Sequence, residues 1–313
     1  MKSILIIADP YSTLDHPRDT TLHLIKTFLK KNKAIFIWCT PDDVFAEDSQ
    51  IYVNACGSID ASLQYQEIEK IFRITDFHSI HWRKDPPVDL STYQVWNLLR
   101  FAPSEVGFFN SIDSLLLWHE KFSTLQYREW SIPMLISNNS THWKKFLLEN
   151  ANTKMIAKPV GSAASQGIEI LPHNIDDALK RLNKIKIEIG GPWLILQHFD
   201  ESVFVTGETR VFCLAGKIEG ALRKMPRIDY PIMSWPTDMA KWPHISLVQP
   251  DSVQMERARK IAADLKQSGV HFATIDFIGH RILEINITSP GLLQWMDENS
   301  NLNLAQKYWG NII

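Results

Sequence analysis

Three oxygen-bearing side chains, Asp276, Glu284 and Asn286, interrupt an apolar stretch near the end of the chain. Apolar strands normally exclude carboxylates, because burying an unpaired charge is costly. If the two strands are joined by the turn Gly279–Arg281, position 276 faces position 284 and the three side chains share one face, whereas a turn of two or four residues would turn Glu284 away. Together they would bind Mg²⁺ through hard oxygen ligands. The alternative is an edge hairpin with solvated acids.

A run of small residues, Gly161-Ser-Ala-Ala-Ser-Gln-Gly167, closely follows Lys158-Pro159. Small side chains let backbone N–H groups approach an anion, and the lysine adds a positive charge. The run therefore predicts a phosphate-binding loop that includes Gly161, Ser162 and Gly167. A plain hairpin turn beside a surface lysine is the alternative.

Basic residues stand at the ends of several predicted strands. Arg210 begins one strand, Arg223 and Lys224 end the next, and Arg83 lies just beyond an early strand. Guanidinium groups suit the recognition of phosphate or carboxylate, and open α/β sheets bind ligands beyond the carboxyl ends of their strands. These residues are therefore candidates for contacts with anions. Solvated strand ends and an ordinary turn at Asp85-Pro86-Pro87 are the alternatives.

Composition and missing motifs exclude several classes of function. Lys and Arg number 33 against 35 Asp and Glu, a formal charge of −2, so no long-range basic field attracts nucleic acid or an anionic membrane. The chain has no GxGxxG and no GxxxxGK(S/T), which removes the main support for a Rossmann dehydrogenase or a P-loop enzyme. The apolar run Ile4–Ala8 is too short for a signal segment, and three scattered cysteines predict buried, reduced thiols, so we expect a cytoplasmic protein.

The order of predicted elements indicates a protein of mixed α/β and α+β class. Predicted strands are 3–8, 34–38 and 79–82, and predicted helices are 20–31, 92–102, 111–127 and 251–267. Strands alternating with helices in the first part are typical of an open, mostly parallel sheet. Later short strands with turn signals predict antiparallel α+β construction. The proline-bearing stretch 227–250 is predicted to be a long loop.

Eight short motifs follow one another along the chain: Asp9-Pro10, Asp19-Thr20-Thr21, Arg83-Lys-Asp-Pro-Pro87, Glu120-Lys121, Lys158-Pro159, Gln197, Arg210-Val211 and Glu284-Ile-Asn-Ile-Thr-Ser-Pro290. In this order they resemble the prokaryotic glutathione synthetases of the ATP-grasp superfamily, and the RKDPP and EINxTSP elements are the more specific ones. The resemblance implies an N-terminal substrate-binding domain (1–121), a lid domain (122–200) and a C-terminal catalytic domain (201–313). The last two would form an ATP-grasp module that holds ATP between them.

The resemblance also implies roles for individual residues. The expected ATP-binding residues are Lys121, Lys158, Gly161, Ser162, Gly167, Gln197, His198, Phe199 and Glu208. The backbone of 197–199 would meet the adenine, and Glu208 the ribose. Arg210, Arg223 and Lys224 would contact the phosphates or an acyl phosphate. Arg83, Asp19 and Thr20 would contact a dipeptide or small-molecule substrate. Asp276, Glu284 and Asn286 would bind Mg²⁺ or Mn²⁺.

The implied chemistry is amide-bond formation in two steps. ATP phosphorylates a substrate carboxylate and an amine attacks the acyl phosphate, as when γ-glutamylcysteine and glycine form glutathione. The segment 227–243 contains three prolines and no glycine, so we expect it to be stiff and to reshape the acceptor pocket. A ligase with other substrates and an inactive nucleotide-binding protein are the alternatives. A homo-oligomer is possible, and neither nucleic acid nor a membrane is expected as a partner.

Overall fold

The N-terminal sheet is the first of three β-sheets in this computed structural model, which describes residues 2–161, 167–188, 193–226 and 244–312. Its strands are β1 (Lys2–Ile7), β2 (Ala34–Cys39), β3 (Val44–Glu47), β4 (Gln50–Ile59), β5 (Tyr65–Arg73), β6 (Ser79–Trp82) and β7 (Phe108–Phe109). They lie in the order β3-β4-β2-β1-β6-β7, with β5 paired to β4. The neighbours β2, β1, β6 and β7 are parallel, as predicted, whereas β3, β4 and β5 add an antiparallel extension that we did not predict.

Three helices belong to this first part of the chain: α1 (Thr20–Leu29), α2 (Leu90–Leu99) and α3 (Ile112–Leu117). The start of α1 is set by Asp19, whose side chain accepts a hydrogen bond from the Leu22 N–H at 2.8 Å. Asp89 and Ser111 cap α2 and α3 in the same way. Each cap satisfies an N–H group that the first helical turn leaves unbonded.

The middle sheet is a small antiparallel sheet with both of its helices on one face. Its elements are β8 (Met134–Ser137), α4 (Ser140–Glu149), β9 (Met155–Pro159), β10 (Glu169–Ile170), α5 (Ile175–Glu188) and β11 (Leu194–His198), and its strand order is β10-β9-β11-β8. Trp143 and Leu182 from the helices pack against Leu194 and Leu196 of β11 in a separate apolar cluster. This sheet therefore has its own core.

The C-terminal sheet is wholly antiparallel, in the order β14-β13-β12-β15-β16. The elements from residue 203 onward are α6 (Val203–Thr206), β12 (Glu208–Leu214), β13 (Lys217–Met225), β14 (His244–Leu247), α7 (Ser252–Gln267), β15 (Phe272–Ile278), β16 (Arg281–Asn286), α8 (Leu293–Asn299) and α9 (Leu304–Gly310). Its core is shared with the N-terminal sheet: Leu5 clusters with Ile261 on one side, and Leu22 with Phe212 on the other. The two sheets thus form one packing unit.

Several expectations need correction. The predicted helix at 111–127 is wrong as one element, because α3 ends at Leu117 and a 3-10 turn follows only at Phe122–Tyr127; the residues between them bond to β16 instead. Within the predicted loop 227–250, residues 227–243 lie outside the described residues, and His244–Leu247 forms β14 because the outer edge of β13 pairs with it. The three cysteines are free thiols, and Cys56 is only half-buried. No described helix has the length and apolar character needed to span a membrane.

Candidate active site

Asp276, Glu284 and Asn286 project from one face of the C-terminal sheet. The register pairs Asp276 with Glu284 and Thr274 with Asn286. The turn between β15 and β16 has two residues instead of three, which alone would have turned Glu284 away, but the extra residue Leu283 forms a bulge that restores the pairing. The shared face predicted from the sequence is therefore confirmed, although a turn and a bulge produce it together.

The trio has the donor atoms that a hard divalent cation requires. Asn286 Nδ2 donates to Asp276 Oδ2 at 3.1 Å, which leaves Asn286 Oδ1 as the atom that can bind a cation. The Glu284 side chain is 24% exposed and so reaches solvent beside Lys121; the region around these two side chains and Lys158 is called the cleft below. No three His, Cys, Asp or Glu side chains among the described residues are grouped to hold a metal by themselves. Two carboxylates and an amide oxygen fit Mg²⁺ or Mn²⁺ that takes its other ligands from water and phosphates.

Asp276 is buried and faces Arg210 on the neighbouring strand β12. Arg210 Nε donates to Asp276 Oδ1 at 2.8 Å and Nη2 donates to Oδ2 at 2.6 Å. Burial alone would raise the pKa of Asp276, but the charges of Arg210 and Lys224, together with the hydrogen bonds to the carboxylate, outweigh it and the pKa lies below its usual value. The Arg210 guanidinium is thus engaged with a carboxylate, and it holds that carboxylate ionised.

A second ion pair lies beside the first. Glu208 pairs in register with Lys224, and their side chains form a buried salt bridge. Burial raises the pKa of Glu208 even though Lys224 opposes the shift. Arg223 does not join this pair, because successive residues of a strand point to opposite faces, and its Nε lacks a hydrogen-bond partner among the described residues. Arg223 and Lys224 therefore point to opposite faces of the sheet.

Two lysines from outside the C-terminal sheet converge on Glu284. Lys121 Nζ lies 3.5 Å from Glu284 Oε1. Lys158, on β9, is only 8% exposed, and burial lowers its pKa to about 8, while Glu284 acts in the opposite direction and Lys121 lowers it further. A buried ammonium with a reduced pKa is poised to bind an anion, which would compensate its desolvation.

The side chains of the stretch 197–199, whose backbone we expected to meet the adenine, lie on both faces of the middle sheet. Gln197 is buried on the same face as Lys158, and its Oε1 has no hydrogen-bond partner among the described residues. His198 lies on the opposite face, where Nε2 bonds to Asn150 Oδ1 at 2.9 Å. The His198 and Phe199 N–H groups both donate to protein carbonyls, at 3.0 and 2.8 Å. Their amides are therefore engaged, and the His198 side chain lies away from the cleft.

The small-residue run is described only at its two ends. Gly167 has φ +69°, and a Cβ atom there would lie 2.8 Å from the Pro159 ring, so glycine is required on both counts. Gly161 lies against the carbonyl of Val88, 3.5 Å from where its Cβ would be. Ser162, which we expected to bind ATP, lies outside the described residues together with 163–166.

Arg83, Asp19 and Thr20 lie near one another beside the first turn of α1. Arg83 is buried; its Nε donates to Thr21 Oγ1 at 3.1 Å and its Nη2 to the Pro290 carbonyl at 3.3 Å. Burial raises the pKa of Asp19 despite the nearby charge of Arg83. Thr20 Oγ1 is buried without a hydrogen-bond partner in the described part of the chain. This region therefore offers both signs of charge and an unsatisfied hydroxyl.

Glu120 is the site residue to which the sequence motifs assigned no role. It immediately precedes Lys121, and its carboxylate contacts the backbone just after Asn286. Burial, followed by the nearby charge of Glu284, raises its pKa. The sequence signal was its place in the Glu120-Lys121 motif, beside a predicted phosphate-binding lysine.

Comparison with protein families covers almost the whole chain. The prokaryotic glutathione synthetase N-terminal domain matches residues 1–115, and the prokaryotic glutathione synthetase ATP-grasp domain matches residues 120–301. Glutathione synthetase of Prochlorococcus marinus (strain MIT 9313) is 24% identical over 305 residues, covering 97% of this chain and 96% of that protein. Glutathione synthetase of Synechocystis sp. is 25% identical over 317 residues, covering 97% of each.

Solved structures agree on the fold. A D-cycloserine synthetase aligns with a TM-score of 0.71 at 15% identity, covering 99% of this chain and 100% of that one. D-alanyl-alanine synthetase A from Vibrio cholerae aligns with a TM-score of 0.63 at 11% identity, covering 99% and 98%. At these identities the likeness concerns the fold, with its mixed α/β and α+β sheets as predicted.

Proposed function

Because the chain belongs to the prokaryotic glutathione synthetase family of ATP-grasp ligases, we propose that it joins γ-glutamylcysteine to glycine with conversion of ATP to ADP and phosphate through an acyl phosphate. The observation that carries the proposal is the convergence of Lys121 and Lys158 on the face that bears Asp276, Glu284 and Asn286. A nucleoside triphosphate requires cations for its phosphates and hard oxygen ligands for its metal, and this cleft has both.

The chemistry needs three contributions from the protein. A carboxylate is a poor electrophile, since its charge repels nucleophiles, and phosphorylation removes that charge and creates a good leaving group. Lys121 and Lys158 would stabilise the charge on the transferring phosphoryl group. Mg²⁺ held by Asp276, Glu284 and Asn286 would neutralise the β- and γ-phosphates. Mn²⁺ suits the same ligands.

Arg210 and Lys224 have a supporting role in this proposal. Two donors of Arg210 are engaged by Asp276, and Lys224 is engaged by Glu208. We therefore assign Arg210 and Lys224 to holding the acidic groups of the cleft, with Glu208 beside the ribose. Gln197, whose buried Oε1 is unsatisfied among the described residues, is the side chain of the 197–199 stretch that would meet the nucleotide base.

The carboxylate substrate would bind at the Arg83 end of the cleft. An amino acid end group carries an ammonium and a carboxylate, and Asp19 and Arg83 offer the complementary charges. Thr20 adds a hydroxyl that lacks a protein partner in the described structure. The pairing of opposite charges gives specificity for such a zwitterionic group.

A different amine acceptor is the second candidate function. The sequence of the segment 227–243, which carries three prolines and no glycine, is the observation that favours it, because prolines restrict the backbone conformations open to a chain and glycines would widen them. The second candidate keeps the same acyl-phosphate chemistry and differs only in the substrates.

The test is phosphate release by the purified protein, with products identified by mass spectrometry. Release that requires both γ-glutamylcysteine and glycine, with glutathione as the product, supports the first candidate. Release only with other acid and amine pairs supports the second. ATP binding without turnover across a broad panel contradicts both. Glu149→Gln, an exposed acid on α4, serves as the control protein and should match the wild type.

A further inference from the structure

The outer edge of β16 is closed by the segment that connects α3 to the middle sheet. On its inner side β16 pairs with β15. On its outer side the Ile282 N–H donates to the Trp130 carbonyl at 2.8 Å, and the Ile285 N–H donates to the Glu120 carbonyl at 3.1 Å. This edge thus has no further strand within the described residues, and isolated backbone groups of the connecting segment take its place.

Just beyond the end of β16, the backbone amides bond to a side chain and not to a neighbouring strand. Glu120 Oε1 accepts hydrogen bonds from the Ile287 N–H at 3.2 Å and from the Thr288 N–H at 3.0 Å. Ile287 and Thr288 are both buried. Without Glu120 these two amides would be left unsatisfied away from water, and the chain would have to move to satisfy them.

These contacts flank the expected metal ligands on both sides. Asn286 lies between Ile285, which bonds to the Glu120 carbonyl, and Ile287, which bonds to the Glu120 carboxylate. The next residue, Lys121, contacts Glu284 through its side chain. The dipeptide Glu120-Lys121 therefore bonds to the backbone on both sides of Asn286 and contacts the side chain of Glu284.

We propose that Glu120 is a positioning residue whose carboxylate fixes the end of β16, so that Glu284 and Asn286 present their oxygens to the nucleotide-bound cation. The proposal rests on the proposed ATP-dependent function and extends it to a residue that touches neither metal nor substrate. Replacing a residue that orients metal ligands through hydrogen bonds commonly changes metal affinity by about 10- to 100-fold.

The chain offers a matched control for a purely structural role. The Asp297 carboxylate also accepts two consecutive backbone amides, from Leu304 at 2.5 Å and from Ala305 at 3.0 Å, and it lies near His23 at the junction of α8 and α9. Asp297→Ala removes the same kind of contact from a place that bears no expected ligand. It should lower stability without changing metal affinity.

The test measures Mn²⁺ binding in the presence of ADP by electron paramagnetic resonance, with thermal unfolding in parallel. We expect Glu120→Ala to weaken Mn²⁺ binding at least about tenfold. Glu120→Gln retains an acceptor oxygen and should stay within about threefold of wild type, while Glu120→Asp withdraws the oxygen by one methylene and should resemble Glu120→Ala. Glu120→Asp decides the question if Glu120→Ala does not fold.

Three results separate a failure of the positioning role from a failure of the proposed function. Wild-type Mn²⁺ affinity in folded Glu120→Ala or Glu120→Asp overturns the positioning role and leaves the proposed function intact, as does an equal loss of affinity in Asp297→Ala. A wild-type protein that binds neither ADP nor Mn²⁺ overturns the proposed function together with the role of Glu120.

Discussion

Arg210 and Asp276 lie opposite each other on adjacent strands and are joined by two hydrogen bonds, Nε to Oδ1 at 2.8 Å and Nη2 to Oδ2 at 2.6 Å. The parallel bonds match the planar fork of a guanidinium to a carboxylate. Asp276 is 1% exposed, so its charge would be unfavourable without this partner. Arg210 thus keeps Asp276, the proposed cation ligand, ionised inside the sheet.

Replacing Arg210 should destabilise the fold strongly. Arg210→Met leaves the buried Asp276 without its partner, and we expect a loss of about 3–5 kcal/mol in the free energy of unfolding by urea. The double variant Arg210→Met/Asp276→Asn should recover part of that loss, because the amide carries no charge. Arg100→Met breaks an exposed pair with Asp113 and should cost about 0–1 kcal/mol. Equal effects of Arg210→Met and Arg100→Met would contradict this account.

Glu284→Gln should abolish turnover and preserve the fold. The amide has the same shape but one charged oxygen fewer for a cation, and we expect kcat to fall at least about 100-fold, corresponding to ~3 kcal/mol of transition-state stabilisation. Circular dichroism and thermal unfolding should resemble the wild type, because Glu284 is partly exposed. Activity above about a tenth of wild type would correspond to a loss of less than ~1.4 kcal/mol of transition-state stabilisation. That result would show that Glu284 does not bind the metal.

ADP binding should weaken as the pH rises through the pKa of Lys158, about 8. Above that pH the side chain is neutral and attracts phosphate less, so the Kd measured by calorimetry should increase between pH 7 and pH 9.5. Lys158→Arg keeps its charge throughout and should show a flat profile, whereas Lys158→Met should bind weakly at every pH. A pH-independent Kd in the wild type would show that Lys158 does not contact the nucleotide.

Stability should fall in mild acid because of His81. Burial, with smaller effects of His271 and Arg83, holds the pKa of His81 well below its ordinary value, and its ring nitrogens bond to Tyr308 Oη at 2.6 Å and Ser79 Oγ at 3.0 Å. Below about pH 6.5 the unfolded chain takes up a proton at this residue that the folded chain does not, so stability rises with pH up to about 6.5 and this contribution is constant above it.

The measurement compares how steeply the free energy of unfolding changes with pH, because His81→Gln alters the stability itself at every pH. The free energy of unfolding by urea, taken at pH 7.5, 6.5 and 5.5, should decline below pH 6.5 more steeply in the wild type than in His81→Gln, by up to about 1.4 kcal/mol per pH unit. Identical slopes would mean that His81 is protonated in the folded protein or does not titrate in this range.

Local signals in the sequence predicted the elements that carry the site. The strand at 79–82 was predicted with the observed bounds, because an apolar run bounded by turn residues is a local feature. Strand β5 was not predicted, since most of its residues are exposed and its pattern is weakly apolar. The continuous helix at 111–127 was wrong because Glu120 bonds to a strand far away in the sequence, and such a bond overrides local helical preference.

The sequence by itself determined that acids and an amide share an apolar hairpin, that lysines and small residues suit phosphate, and that the motifs follow a family order. Only the tertiary structure decided that Leu283 bulges to keep Glu284 facing the cleft, that Arg210 belongs to Asp276, and that His198 faces away. The physical reason is the separation along the chain over which each kind of interaction acts. Turn chemistry and strand alternation act over a few residues, whereas Arg210 and Asp276 are 66 residues apart, and contacts of that kind arise from the packing of whole sheets.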